Sequence, residues 1–200
     1  MAARKGWIAP VAIIVVLVVL VVIGIFWFVG QQNSIITLEE SVDAAWSEID
    51  NQLQRRSDLI PNLVATVQGF VDQEQEVFGR IADARARLAG AQSVSETAES
   101  YGELQSALSR LLVVVENYPQ LESNQNFLQL QDELAGTENR IAVSRRRYNE
   151  TVQQFNTRIR LFPTRIVATR LGMEQREYFE IPESAREVPT VNFGTDSDSE

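Results

Sequence analysis

The run from Trp7 to Val29, WIAPVAIIVVLVVLVVIGIFWFV, most narrows what this chain can become. It is 23 residues long and carries no charged side chain. At the helical rise it measures about 34 Å, enough to cross a hydrocarbon layer of roughly 30 Å with some tilt. A helix is the only single open segment that satisfies its own backbone in lipid. Trp7 and Trp27 stand near the two ends, where indole rings favour the interface, and Pro10 falls in the first turn, where a missing N–H costs little. Arg4 and Lys5 precede the run, while Glu39, Glu40 and Asp43 follow it. That asymmetry predicts residues 1–6 in the cytoplasm and residues 31–200 outside it. A cleaved signal peptide has an apolar region of about 7–15 residues and a small-residue cleavage site. Phe26-Trp27-Phe28-Val29-Gly30-Gln31 offers no such site, so an uncleaved anchor is expected over residues 7–29.

The remainder is long enough for one domain with a real core. The whole chain has 18 Lys+Arg against 27 Asp+Glu, a net charge of −9. Without Arg4 and Lys5 the balance is 16 against 27, or −11, which repels nucleic acid and anionic lipid headgroups. There is no cysteine, hence no disulfide or thiol chemistry, and no histidine. The second absence removes the commonest metal ligand and the usual general base near neutral pH.

Apolar residues recur at helical spacing throughout. Ile35, Leu38, Val42, Ala45, Ile49 and Leu53 form one stripe, which resumes at Ile60, Leu63, Val67 and Phe70 and runs on to Val77, Ile81 and Leu88. Pro61 cannot donate to the Ser57 carbonyl, so the spacing predicts a kinked rod, or two helices meeting near Leu59 with Asp58 at the start of the second. Residues 89–95 read as a loop, and Ser93-x-x-Glu96 as a capping box opening the next helix. Its stripe is Tyr101, Leu104, Leu108, Leu111 and Val115, and Asn117-Tyr118-Pro119 ends it. Ser123 or Asn124 then caps a helix whose stripe from Phe127 to Phe162 averages 3.5 residues per step, the period of supercoiled helices. Thr164 to Leu171 reads as a short helix closed by Gly172, followed by an extended strap from Phe179. Residues 194–200 read as a disordered acidic tail. The expected fold is all-α: a transmembrane helix, then an elongated antiparallel bundle of three long helices over residues 30–193, with a short extra helix and a C-terminal strap.

Several residues beside these stripes are candidates for interaction or for shaping the kink. Arg55, Arg56 and Asp58, with Pro61 and Asn62, form a charged knot that either displays a docking site or holds the kink through internal ion pairs. Arg145-Arg146-Arg147 is expected to pair with Glu138 or Glu150 rather than to clamp a phosphate. Asn124, Asn126, Asn149 and Asn156 stand beside Phe127, Tyr148 and Phe155, as register-setting amides across helices or as a polar recognition surface. Trp46, Phe78, Leu112 and Val114 lie off the narrow stripes, either as a flank for homo-oligomers or as core filling at the kink. No carboxylate dyad, metal-ligand spacing, nucleophile elbow or phosphate loop is present in the sequence.

The motifs resemble one family. They comprise Val42-Asp43-Ala44-Ala45-Trp46-Ser47-Glu48-Ile49-Asp50, Gln52-Leu53-Gln54-Arg55-Arg56-Ser57-Asp58-Leu59-Ile60-Pro61-Asn62-Leu63-Val64, Glu116-Asn117-Tyr118-Pro119 and Asn124-x-Asn126-Phe127-x-x-Leu130. Thr137-Glu138-x-x-Ile141, Tyr148-Asn149, Phe155-Asn156 and Phe162-Pro163 complete the series. In this order they resemble the LemA family of bacterial membrane proteins over residues 30–193; the departure is Gln31-Gln32-Asn33-Ser34, where the family pattern has a Tyr-Asn pair. The resemblance implies an anchored helical bundle and no established catalytic residue; no cofactor or metal is expected. It also implies association with membrane metalloproteases of the HtpX type, envelope stress and, in one branch, magnetosome biogenesis. Three classes of function are weighed: a non-enzymatic scaffold or adaptor of the cell envelope, a ligand-sensing extracytoplasmic domain, and an enzyme. The first is preferred, because six cytoplasmic residues are too few to signal alone and the lack of histidine and cysteine leaves few general bases tuned near neutral pH.

Overall fold

The computed structural model describes residues 8–71 and 74–181. Among them every regular element is helical: α1 (Ile8–Gln68), α2 (Gln75–Gly90), α3 (Val94–Val115), α4 (Pro119–Glu122), α5 (Gln125–Arg160) and α6 (Thr164–Arg170). The first part of α1 is long and apolar enough to cross a membrane, and none of that stretch is buried within the chain. A single apolar N-terminal helix of this kind fits a single-pass membrane protein. The acidic tail and most of the expected strap, like Arg4, Lys5 and Trp7, lie outside the described residues.

The helix that opens with the apolar run continues without a break into the stripe at Ile35, since α1 runs through Gly30-Gln31-Gln32-Asn33-Ser34. One glycine and one asparagine each cost under about 1 kcal/mol of helix propensity, too little to stop a helix continued on both sides. Of the two alternatives at Pro61, the single rod holds: α1 runs on through Pro61, so no second helix begins near Leu59 and Asp58 caps nothing. The interruption of the expected 35–90 rod comes later, where α1 ends at Gln68 and α2 begins at Gln75. Gly69 follows immediately, and Phe70 and Val71 both turn their amides back to the Val67 carbonyl. The cut leaves α2 only 16 residues long, and α3 has 22; α1 and α5 are the long helices, at 61 and 36.

The local signals read from the sequence hold. Ser93 Oγ accepts from the Glu96 amide at the start of α3, and Glu96 Oε2 accepts from the Gln92 amide. Asn124 Oδ1 accepts from the amides of Asn126 and Phe127 at the start of α5, so Asn124 rather than Ser123 is the cap. Gly172 takes the left-handed conformation, φ +69°, just beyond α6.

The chain divides into two compact units. Unit one comprises residues 1–52 and 140–177, and unit two residues 53–139 and 178–200. In unit one, Ile35, Val42, Ala45 and Ile49 of α1 are buried, as are Ile141, Tyr148, Val152, Phe155 and Ile159 of α5 and Val167 of α6. Gln52 meets Arg140, Trp46 meets Tyr148 and Gln31 meets Arg158, so α1 and α5 run antiparallel there. Unit two buries one cluster: Ile60, Leu63 and Val67 of α1, Phe78 and Ile81 of α2, Leu104, Leu108 and Leu111 of α3, and Phe127 and Leu134 of α5. Phe78, expected as a candidate for an exposed flank, belongs to this core, and Val114 packs against it. Leu112 stays exposed.

Candidate functional sites

The first site, in unit two, grows from the proline in α1. Pro61 has no N–H for the Ser57 carbonyl, and Ser57 is buried. The orphaned oxygen accepts a hydrogen bond from Arg85 Nε of α2 at 3.1 Å, and the same Nε reaches Ser57 Oγ at 3.1 Å. The helix therefore passes its proline without losing the carbonyl's partner, which comes from another helix.

One residue earlier, Arg56 is buried, with 7% of its surface exposed. A buried cation needs a counter-charge, and Glu138 of α5 supplies it at 2.5 Å. The same carboxylate accepts from the Tyr101 hydroxyl and from Gln105 Nε2 at 3.4 Å. The guanidinium also lies 5.7 Å from the centroid of the Tyr101 ring, close enough for cation–π attraction. Tyr101 in turn packs on Phe179, with ring centroids 6.3 Å apart. Glu138 is thus a hub tying α1, α3 and α5, and it is not the partner of Arg145-Arg146-Arg147 that the sequence suggested.

The charged knot at 55–58 comes apart in space. Arg56 joins the hub, whereas Arg55 is exposed and Asp58, also exposed, accepts from Gln54 Nε2 at 2.9 Å. Pro61 and Asn62 face outward, and the Asn62 carbonyl accepts from Thr66 Oγ1. Tyr118 packs against the core of unit two, and Pro119 starts α4 at an exposed position.

Unit two also holds an open cleft of about 470 Å3 between α2 and α3. Arg80, Asp83 and Arg87 wall one side, and Glu99, Glu103 and Arg110 the other. Ala84, Gly102 and Ala107 leave its floor low. Arg87 and Glu103 pair across it at 2.8 Å, and Arg80 pairs with Glu76 on its own helix. No sequence motif marks this cleft, because its charges come from two helices at ordinary surface positions.

In unit one, polar side chains of α5 hold an extended segment. The Tyr148 hydroxyl donates to the Glu177 carbonyl at 2.9 Å. Asn156, two turns further on, grips the Arg176 backbone twice: its Nδ2 donates to the carbonyl and its Oδ1 accepts from the amide, each at 2.9 Å. Of the expected register amides, then, Asn156 bonds the backbone of Arg176, Asn124 caps a helix, Asn126 is exposed and Asn149 is half-buried. The Arg176 side chain reaches Glu39 at 2.9 Å and Asp43 at 3.5 Å on α1. Burial pushes the Tyr148 hydroxyl from an ordinary 10.0 up to about 12, with nearby Arg176 opposing and Glu177 and Asp43 adding. Trp46 is half-covered, its ring 5.4 Å from that of Tyr148, which makes it part of this packing. No group of three or more acidic side chains placed to share a metal ion occurs among the described residues.

Comparison with known proteins adds to this geometry. The family model described as the LemA family matches residues 45–193. Magnetosome protein MamQ 2 of Paramagnetospirillum magneticum is 25% identical over 177 residues, covering 74% of this chain and 64% of that protein. Protein LemA of Metamycoplasma hominis is 28% identical over 131 residues, covering 64% of this chain and 59% of that protein. Magnetosome protein MamQ of Magnetospirillum gryphiswaldense is 24% identical over 173 residues, with 74% and 64% covered. The chain thus spans somewhat under two thirds of the length of these relatives.

Proposed function

Because this chain belongs to the LemA family, we propose that it works as a membrane-anchored, non-enzymatic scaffold or adaptor for other proteins of the cell envelope. The observation that carries this reading is the mixed-charge cleft between α2 and α3. Three arginines and three carboxylates alternate around small floor residues, a lining that suits a peptide segment bearing both charges. The net acidity of the chain disfavours nucleic acid as the occupant. A membrane metalloprotease of the HtpX type is the partner class that the family resemblance suggests. The anchor holds the bundle on the extracytoplasmic side, and a shared membrane raises the effective concentration of partners and of other copies, which favours weak homo-oligomers. Crosslinking of the full chain in its membrane should recover a specific membrane protein. The double variant Arg80→Glu with Arg110→Glu should cut that recovery roughly tenfold, the weight of one good interfacial ion pair. Recovery of no specific membrane protein would sink the reading. Protease added to intact spheroplasts should digest the bundle; protection until lysis would reverse the orientation.

A ligand-sensing role draws on the same cleft. Its volume lies within the range of roughly 300–1,000 Å3 typical of small-molecule sites, and its lining suits a zwitterion. A thermal shift with amino-acid-like ligands, abolished by Ala107→Phe, favours sensing over scaffolding.

A further inference from the structure

We propose that unit one makes a second contact with the bilayer, through the turn between α5 and α6. The inference rests on reading the start of α1 as a membrane span. The apolar run ends at Val29, and Gln31 lies two residues on, roughly 3 Å along the axis. Gln31 Oε1 accepts from Arg158 Nη2 at 2.8 Å and from Thr164 Oγ1 at 3.3 Å. Those bonds hold the α5–α6 turn level with the mouth of the span. At that level the turn exposes Leu161 by 54% and Phe162 by 82%, and the first part of α6 exposes Ile166 by 60%. Three large apolar side chains in water beside a membrane-spanning helix have one occupant at hand, the bilayer surface.

Charge points the same way. Residues 157–170, TRIRLFPTRIVATR, hold four arginines and no acidic residue, in a chain with 27 Asp+Glu against 18 Lys+Arg. Arg160 and Arg165 line one hollow of about 670 Å3 together with Thr169, Gln175 and Glu174. A hollow walled by two guanidinium groups next to inserted apolar side chains matches the chemistry of an anionic lipid headgroup at the hydrocarbon boundary. Glu174 moderates that charge without cancelling it. Phe162 then sits among acyl chains near the glycerol level, and the two arginines meet phosphate above it.

The absence of native cysteine makes single labels specific. The full chain, carrying an environment-sensitive fluorophore at Phe162→Cys, Val143→Cys or Val18→Cys, is reconstituted into phosphatidylcholine vesicles containing phosphatidylglycerol. A fraction of the lipid bears a nitroxide quencher on its acyl chain. Val143 is 67% exposed on α5, roughly 25 Å from the turn, and reports water. The labels at Val18 and Phe162 should be quenched and the label at Val143 should not. Arg160→Glu with Arg165→Glu should lower the docked fraction at Phe162 roughly fivefold or more. If the Phe162 label is as unquenched as the Val143 label while Val18 is quenched, the second contact is refuted and the span stands. If Val18 is also unquenched, both fall. A Phe162 label shielded from water yet unquenched by lipid identifies a protein cover instead and overturns the proposal. Quenching indifferent to the arginine reversals overturns its headgroup part.

Discussion

The two units differ in what their most buried polar side chains chiefly hold. In unit two, the central polar groups hold one another: Arg56, Tyr101 and Gln105 converge on the Glu138 carboxylate, while Arg85 also reaches the backbone carbonyl that Pro61 leaves open. In unit one they hold backbone: Tyr148 and Asn156 bind the main chain of residues 176 and 177, and the charged partners Arg176 and Glu39 stay near the surface. The difference bears on energy. A charge hub answers to the loss of one member with an uncompensated buried ion, whereas a backbone clamp loses single neutral bonds. Unit two should accordingly be brittle at Glu138, and unit one should fail gradually.

Substitutions can break that contrast. The largest effect is expected from Glu138→Gln, which strands the buried Arg56 charge. Unfolding of unit two should cost about 3 kcal/mol less, and Glu138→Gln combined with Arg56→Met should recover part of the loss. Denaturant melts read the result, and a loss below about 1 kcal/mol would make the hub no stronger than a surface pair.

Next comes an alkaline test of unit one. The Tyr148 hydroxyl binds its proton more tightly folded than unfolded, with a pKa of about 12 against 10.0. Its contribution is therefore complete below pH 10 and lost as pH rises from 10 to 12, on the order of 2 kcal/mol. Tyr148→Phe should remove that step from a plot of stability against pH, at the cost of about 1 kcal/mol for the missing bond to Glu177.

A smaller effect sharpens the account of Pro61. Arg85→Leu leaves the Ser57 carbonyl unpaired and should cost about 1–2 kcal/mol. Pro61→Ala restores an amide to that carbonyl, so the same arginine substitution should cost clearly less in its presence. Equal costs in the two backgrounds would show that Arg85 does not serve the proline gap. The smallest effect is expected at Arg176→Gln, under about 1 kcal/mol, because its partners Glu39 and Asp43 are partly solvated.

The sequence was legible where a signal is local. Periodicity located the buried faces of α3 and α5, since Tyr101, Leu104, Leu111, Phe127, Tyr148 and Phe155 are all buried. The Ser93, Asn124 and Gly172 signals act within a few residues of themselves and landed where expected. The polar centre was less legible, because its partners are remote: Arg56 and Glu138 are 82 residues apart, and Arg85 and Ser57 are 28. A hint was nonetheless available. Pro61 on a stripe that continues through Ile60 and Leu63 demands an outside donor for the Ser57 carbonyl, and only a long donor side chain reaches that far. Arg55 and Asp58 misled by adjacency: neighbours in sequence on a helix point about 100° apart per step, so they do not share the site of Arg56.

The unbroken passage of α1 from the apolar run into unit one has a mechanical consequence. A spanning helix longer than the local hydrocarbon thickness tilts to fit, and the tilt grows as the bilayer thins. Where a flexible joint follows the span, that tilt stops at the membrane. With α1 continuous, a span over the apolar run would pass its tilt straight into the α1 segment of unit one, which would turn by the same angle as the bilayer thins.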